Sequence, residues 1–423
     1  MVLALQADIV CAQLAAQATT TFTVERLVEQ AVNNHPSVLA KYAALGGSRA
    51  GLDLAKWQYY PSLSAQSERG SGQNANTTGA TSNTTLRLQQ NLWTAGRISA
   101  GVKSAQYKQL AARNALLETR TTVALRTLEA WQALLSAAGK QQASQRLMQQ
   151  LERLSGMMSR RVEQQVSPAI DMQLVQARVA QAQSEYLGAK TAADAAKQRL
   201  VQWVGDDALQ LLPSQEAAFL QLAAPLPAWP LDTPERLEDA LSASPTLLRL
   251  EADLSSARED IEQKKAERWP SVYARIDRQF NKNSFGGKSA DTQAYIGLQY
   301  TPGAGLTVRS QIETAQARFQ SLDSEREALR RQLKESYQSE WRDYAANTER
   351  IQLAQRVESS NSALSESYTR LFVAGRRNWL ELLNALREQA AGEQALSDLQ
   401  ALQHTSHIRL SLYLGQLAWQ VDN

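Results

Sequence analysis

Trp269-Pro270-Ser271-Val272-Tyr273-Ala274-Arg275-Ile276-Asp277-Arg278-Gln279-Phe280 reads as a strand with one apolar side. Val272, Ala274, Ile276 and Phe280 alternate with Tyr273, Arg275, Asp277 and Gln279, and Arg278 is the one exception on the apolar side. The returning segment sets Ala294, Ile296, Leu298 and Tyr300 against Gln293, Tyr295 and Gln299. Strands of about ten residues are near the length that crosses a bilayer when tilted. Taken alone, such a hairpin more often belongs to an ordinary soluble sheet, so its surroundings decide.

The same surroundings occur twice. Tyr60-Pro61-Ser62-Leu63 answers Trp269-Pro270-Ser271-Val272 at an offset of 209, and Pro36 answers Pro245 at the same offset. Thr23-Val-Glu-Arg-Leu27 matches Thr233-Pro-Glu-Arg-Leu237, and Thr94-Ala95-Gly96 matches Gly303-Ala304-Gly305. Arg199-Leu-Val-Gln-Trp-Val-Gly205 matches Arg409-Leu-Ser-Leu-Tyr-Leu-Gly415. Shared composition alone does not keep prolines and glycines in step. The first repeat is therefore placed at 23–205, with a hairpin at about 61–92, and the second at 233–419, with a hairpin at about 271–300. Residues 206–232 read as a linker between the two repeats. In the first hairpin Leu86, Leu88 and Leu92 oppose Thr85, Arg87, Gln89 and Asn91. The polar segments 70–79 and 283–287 read as its loop and that of the second hairpin.

Helical signals fill the rest. A helix from Pro36 reaches Trp57, and Pro61 stops it for want of an amide hydrogen. From about Arg97 to Glu163 and from Leu306 to Leu371 there is no proline and little glycine. Each run suits one helix about 100 Å long at 1.5 Å per residue. Leu110, Leu117, Ala124 and Trp131 recur at sevens, and Leu116, Val123, Ala130 and Ala137 form the adjacent row. Two such seams suit a cylinder of helices. At the far ends, Ser167-Pro168 suggests an N-cap before a helical proline, and Asn378 with Glu381 suggests a capping box.

Four strands per chain leave open edges, which a bilayer does not tolerate, so other copies must close the sheet. A dimer would close eight strands with almost no lumen, whereas a trimer would close twelve around a pore. The expected class is an α+β membrane protein, a long α-helical barrel plus a transmembrane β-barrel, with two tandem structural repeats per chain completed by trimerisation.

The order of short helices, hairpin, long helix, reversal and return helix, given twice from Thr23 to Trp419, resembles the TolC family of outer-membrane channels. Gly375-Arg-Arg-Asn-Trp-Leu-Glu-Leu-Leu-Asn-Ala385 is similar to that family's tip motif. The resemblance implies a homotrimer in the outer membrane of a Gram-negative bacterium that extends into the periplasm. It also implies docking by a periplasmic adaptor and an inner-membrane pump, ABC-type or proton-driven. Its implied entrance residues are Asp171, Phe372, Arg377, Glu381 and Asn384, with Arg377 able to bridge to Asp171. Its implied adaptor-docking tip is Gln165, Val166, Ser167, Gly375 and Arg376. Phe372 replaces an aromatic hydroxyl, Asn384 an acid and Gln165 a glycine of the family pattern. A solvated helix face is the other reading of these charges.

Forty-five basic against 42 acidic residues, without long single-sign blocks, argue against nucleic acid as a partner. The three histidines make no plausible metal set, and His404 and His407 read as solvated surface residues. No nucleophile elbow, phosphate loop or paired carboxylates suggest an enzyme, and no cofactor is expected. Residues 1–18, ending in Ala16-Gln17-Ala18, read as a signal or its remnant, and Cys11 makes a poor lipidation site. The lack of a good lipidation signal and the short proline-rich link from Leu212 to Pro234 favour type I protein secretion as the task. Multidrug or small-molecule efflux is the alternative, and a soluble periplasmic coiled-coil scaffold or adaptor is the alternative of another class.

Overall fold

The structure, a computed structural model, describes residues 24–74, 77–206, 234–282, 288–301 and 307–414. The signal-like segment with Cys11, the linker from residue 207 onward, the second hairpin loop and the Gly303-Ala304-Gly305 turn lie outside the described residues. Within them the order is α1 (Val24–Asn34), α2 (Pro36–Trp57), β1 (Ser62–Asn74), β2 (Thr77–Trp93), α3 (Arg97–Glu163) and α4 (Ala169–Val204). It continues with α5 (Pro234–Ser242), α6 (Pro245–Ala266), β3 (Ser271–Lys282), β4 (Lys288–Gln299), α7 (Val308–Val373) and α8 (Trp379–Tyr413). The two long helices hold 67 and 66 residues.

The repeat is visible bond by bond. α2 and α6 each begin at a proline and run 22 residues. Each then tightens into three i→i−3 bonds, from Gln58, Tyr59 and Tyr60 in one case and from Glu267, Arg268 and Trp269 in the other. Pro61 and Pro270 follow, and the chain turns into β1 and β3.

The described residues form two compact units. One contains residues 40–74, 77–118, 241–282, 288–301 and 307–333. Here the strands make one antiparallel sheet in the order β1-β2-β3-β4, with a bulge between Asn91 and Trp93. The ladder Ser62↔Gln89 to Asn74↔Thr77 extends through most of the expected 70–79 loop, which is a correction. A backbone ladder does not need apolar side chains, and the threonines at 77, 78 and 81 suit a strand.

Helix packing in this unit joins the repeats. Leu52 of α2 packs with Ile98 and Val102 of α3. The Ser104 hydroxyl of α3 meets Ser256 of α6 and donates to Asp260 at 2.5 Å. Arg249 of α6 reaches Glu118 at 2.6 Å and Asp253 at 3.1 Å. Burial pushes the Asp253 carboxyl up from its ordinary range, and Arg249 pulls against it.

The other unit contains residues 24–39, 119–206, 234–240 and 334–414. α1 buries Val24, Leu27, Val28, Ala31 and Val32, one stripe of a 3.6-residue period. α3 buries Ala124, Thr127, Leu128, Trp131, Leu134, Leu135 and Ala138 at alternating threes and fours. Trp131 is among the fully buried side chains, whereas Leu110, which opens the same row of sevens, is exposed.

Candidate conduit wall and entrance

The sheet has two chemically different faces. Cross-strand register places Leu63, Leu88, Ile276 and Ala294 in one row, and Ala274 and Ile296 in the next, on one face. All but the half-buried Ala274 stand in the open, with Leu63 74% and Ile296 80% exposed. An exposed apolar surface of this kind marks a face that meets lipid or another protein, and strands of bilayer-crossing length fit it to lipid. The opposite face carries Gln66, Glu68, Arg87, Gln89, Arg275, Asp277, Gln279, Gln293 and Tyr295.

Asp277 organises that polar face. It is 3% exposed, and it accepts from Arg87 at 3.0 Å and pairs with Arg275 at 3.1 Å. Arg275 also lies over the Tyr295 ring, 4.7 Å from its centroid, and the Tyr295 hydroxyl donates to Gln293. A carboxylate with two guanidinium partners keeps its charge satisfied on a wetted wall. Beside it, Gly297 faces Tyr273, where a Cβ would lie 2.5 Å from the ring, so only glycine lets the tyrosine lie across the strand.

At the strand ends nearest the helices the exposed aromatics gather: Trp57, Tyr59, Tyr60, Trp93, Trp269 and Tyr300. Such a girdle belongs at a membrane–water boundary, where amphipathic rings bridge tails and headgroups. Its positions alternate between helix ends and strand ends, so no single period in the sequence reveals it.

The helical reversals form the second site. After α3, Gln165 takes φ 59°, with Val166 N–H donating to Arg161 O at 2.8 Å and Gln165 N–H to Val162 O at 2.9 Å. After α7, Gly375 takes φ 72°, with Arg376 N–H donating to Leu371 O at 2.9 Å and Gly375 N–H to Phe372 O at 3.0 Å. Both are Schellman stops, 210 residues apart. Each leads to an extended N-cap residue, Pro168 or Asn378.

Ser167 is not the cap expected from sequence. Pro168 itself holds the extended N-cap conformation, its ring having fixed φ at −65°, and α4 starts at Ala169. Asn378 does cap, accepting from the Leu380 amide at 3.2 Å. Glu381 is paired with Arg377 one turn away on the same helix end.

Of the expected entrance residues, Arg377 therefore meets Glu381 and lies over the Tyr368 ring at 5.0 Å, and the Arg377–Asp171 bridge is not formed within the chain. Asp171 is half-buried and Asn384 exposed. Phe372 is 3% exposed and belongs to a core of Leu154, Met158, Val175, Trp379 and Leu382. Of the docking tip, Gln165, Val166, Gly375 and Arg376 are exposed and Ser167 is half-buried.

One residue that the sequence did not single out ties the two reversals together. Arg161 donates to the Phe372 carbonyl at 3.3 Å and to the Ser167 hydroxyl at 3.4 Å, with its guanidinium 5.1 Å from the Phe372 ring centroid. Its partner is a main-chain oxygen 211 residues away, which leaves no motif to read.

The histidines correct another expectation. His404 is 9% exposed and His407 half-buried, because α8 is covered on that face by α3 and α7. Burial draws the His407 imidazole below its ordinary value, against the pull of Glu25. Nearby, Arg409 joins Gln132 at 2.6 Å and Glu340 at 3.4 Å.

A sheet with a lipid face and a polar face, continued by long helices that end in paired reversals, defines a membrane channel subunit. The family model for the outer membrane efflux protein matches residues 27–206 and again 237–416, and the chain belongs to that family of transport conduits, which are not enzymes. Membership places it in the outer membrane. Among solved structures, a membrane protein from Pseudomonas aeruginosa is similar at 20% identity and TM-score 0.81, covering 92% of each chain. The outer membrane protein VceC from Vibrio cholerae is similar at 16% identity and TM-score 0.77, covering 93% of this chain and 96% of its own. The CmeC outer membrane channel from Campylobacter jejuni is similar at 13% and TM-score 0.75, covering 95% and 87%. No curated relative matches the sequence.

Proposed function

We propose that three copies of the chain form the exit channel of a tripartite export system, docked by a periplasmic adaptor and driven by an inner-membrane pump. The observation that carries this reading is the sheet: a lipid-facing surface bounded by two edges, β1 and β4, that are unpaired among the described residues. Edge amides in hydrocarbon must find partners, and identical copies supply them. The helices agree. Leu353, Val357 and Leu364 on α7 lie in the open at coiled-coil spacing, as do Ile170 and Leu174 on α4, stripes that a neighbouring copy would cover.

For the cargo, membership of an efflux family favours small molecules over the secreted protein expected from the linker, whose residues lie outside those described. Deletion of the gene tests this directly. Dye retention with normal protein secretion supports efflux, and the converse supports type I secretion. Purified protein should need detergent, run as a heat-sensitive trimer and conduct in planar bilayers. A soluble, non-conducting monomer would return the chain to the scaffold reading.

The entrance is assigned to Asp171, Phe372, Arg377, Glu381 and Asn384, and adaptor docking to Gln165, Val166, Ser167, Gly375 and Arg376. The Arg377–Glu381 pair supports the first, because three copies would ring the opening with carboxylates held in place by guanidinium groups. Glu381→Ala should weaken block of single-channel current by multivalent cations while leaving assembly intact. Unaltered block counts against the assignment.

A further inference from the structure

We propose that the end of the lipid-facing surface next to the hairpin turns binds the phosphate groups of an anionic lipid headgroup in the outer leaflet, through Arg278 and Arg69. The proposal rests on the outward assignment of the apolar face.

Read row by row, that face changes character towards the turns. Leu63, Leu88, Ile276 and Ala294 make a wholly apolar row. The next row is Ala65, Leu86, Arg278 and Thr292, and the one after it Ser67, Thr84, Phe280 and Ala290. Arg69 follows on the same face of β1.

Charge is segregated between the faces. The carboxylates of the described strand residues, Glu68, Asp277 and Asp291, all lie on the polar face, where Asp277 holds Arg87 and Arg275. Arg278 and Arg69 are exposed on the other face, which has no carboxylate among the described residues.

An arginine facing lipid is costly at mid-bilayer and nearly free at the interface, so its persistence there places it at headgroup depth. Arg278 lies 5.4 Å from the Phe280 ring centroid, and a ring beside a guanidinium suits that boundary. The planar guanidinium fork matches phosphate oxygens two at a time. The girdle at the opposite strand ends has tyrosine and tryptophan instead, so the two rims differ in what they recognise.

The test uses the full-length channel in phosphatidylcholine vesicles doped with either bisphosphorylated lipid A or its dephosphorylated form. After mild detergent extraction, the glycolipid retained per chain is measured. The wild-type channel is expected to retain about threefold more of the phosphorylated form, and inorganic phosphate added at constant ionic strength should leave that ratio unchanged. The double variant Arg69→Gln, Arg278→Gln should lose the preference, whereas Arg342→Gln, on an exposed helix surface, should keep it. On the wild type alone, raising salt should shrink the preference. Equal retention of the two lipids by wild type, or an unchanged preference in the double variant, overturns the proposal. Failure of the wild type to insert into vesicles would instead overturn the lipid-face assignment on which it rests.

Discussion

Gln165 and Gly375 occupy one position in two copies of the same turn, but only one of them is suited to it. A positive φ costs a residue with a Cβ on the order of 1 kcal/mol, and glycine avoids that cost. Gln165→Gly should therefore stabilise the chain by about 1 kcal/mol, and Gly375→Ala should destabilise it by a similar amount. Nothing lies within 4 Å of a Cβ built on Gly375, so its loss would be purely conformational. Guanidinium unfolding in detergent, followed by helical circular dichroism, measures both. The turn was legible in the sequence because glycine and proline mark it; the glutamine was legible only as a departure. His407 was misread because a histidine on a glutamine-rich helix carries no sign of burial. Its folded pKa lies below the ordinary value, so the neutral imidazole stabilises the fold above about pH 6.5 and that contribution is lost as pH falls through the folded pKa. His407→Gln should accordingly flatten the fall in unfolding midpoint between pH 7.5 and pH 5. An unchanged slope would assign the acid sensitivity to other groups.

At the scale of elements, the prolines and glycines placed the helices and the period-2 alternation placed the strands, since each signal is local. What joins the elements was not local. Arg87 finds Asp277 across 190 positions, and Arg161 finds a carbonyl across 211. Neither pairing is visible before the register of β2 on β3, or the approach of α3 to α7, is known. The Arg161 contact makes the two reversals one mechanical piece. Removing it would let each reversal open independently, since a half-buried hydrogen bond to a charged group and a ring contact together hold on the order of 1 kcal/mol. Arg161→Ala should raise amide exchange at Gly375 and Arg376 about fivefold. Arg161→Lys should fall between, because an ammonium lacks the planar fork that reaches carbonyl and hydroxyl together. Unchanged exchange at both amides in Arg161→Ala would show that core packing around Phe372 alone holds the tips.

At the scale of the whole molecule, the unpaired edges of β1 and β4 pose a question of closure. An interface in which β4 of one copy pairs with β1 of the next is head-to-tail, and such an interface either closes into a ring or runs on as a fibre. The strand count chooses among rings, because eight strands leave almost no lumen and twelve leave a pore. Covalent capture distinguishes these outcomes. In a Cys11→Ser background, paired substitutions Leu63→Cys and Ile296→Cys put thiols on the lipid-facing sides of the two edges. If their registers meet, oxidation should give linked dimers and then a trimer that no excess of oxidant enlarges. Scanning the β4 partner through Ala294 and Leu298 covers the neighbouring registers. Each shift of two residues keeps the thiol on the same face. A ladder that continues past three copies would mean that the edges meet without closing, and linked dimers alone would favour the eight-stranded ring. Chains that stay monomeric at every register would mean that something other than a second copy covers the edges.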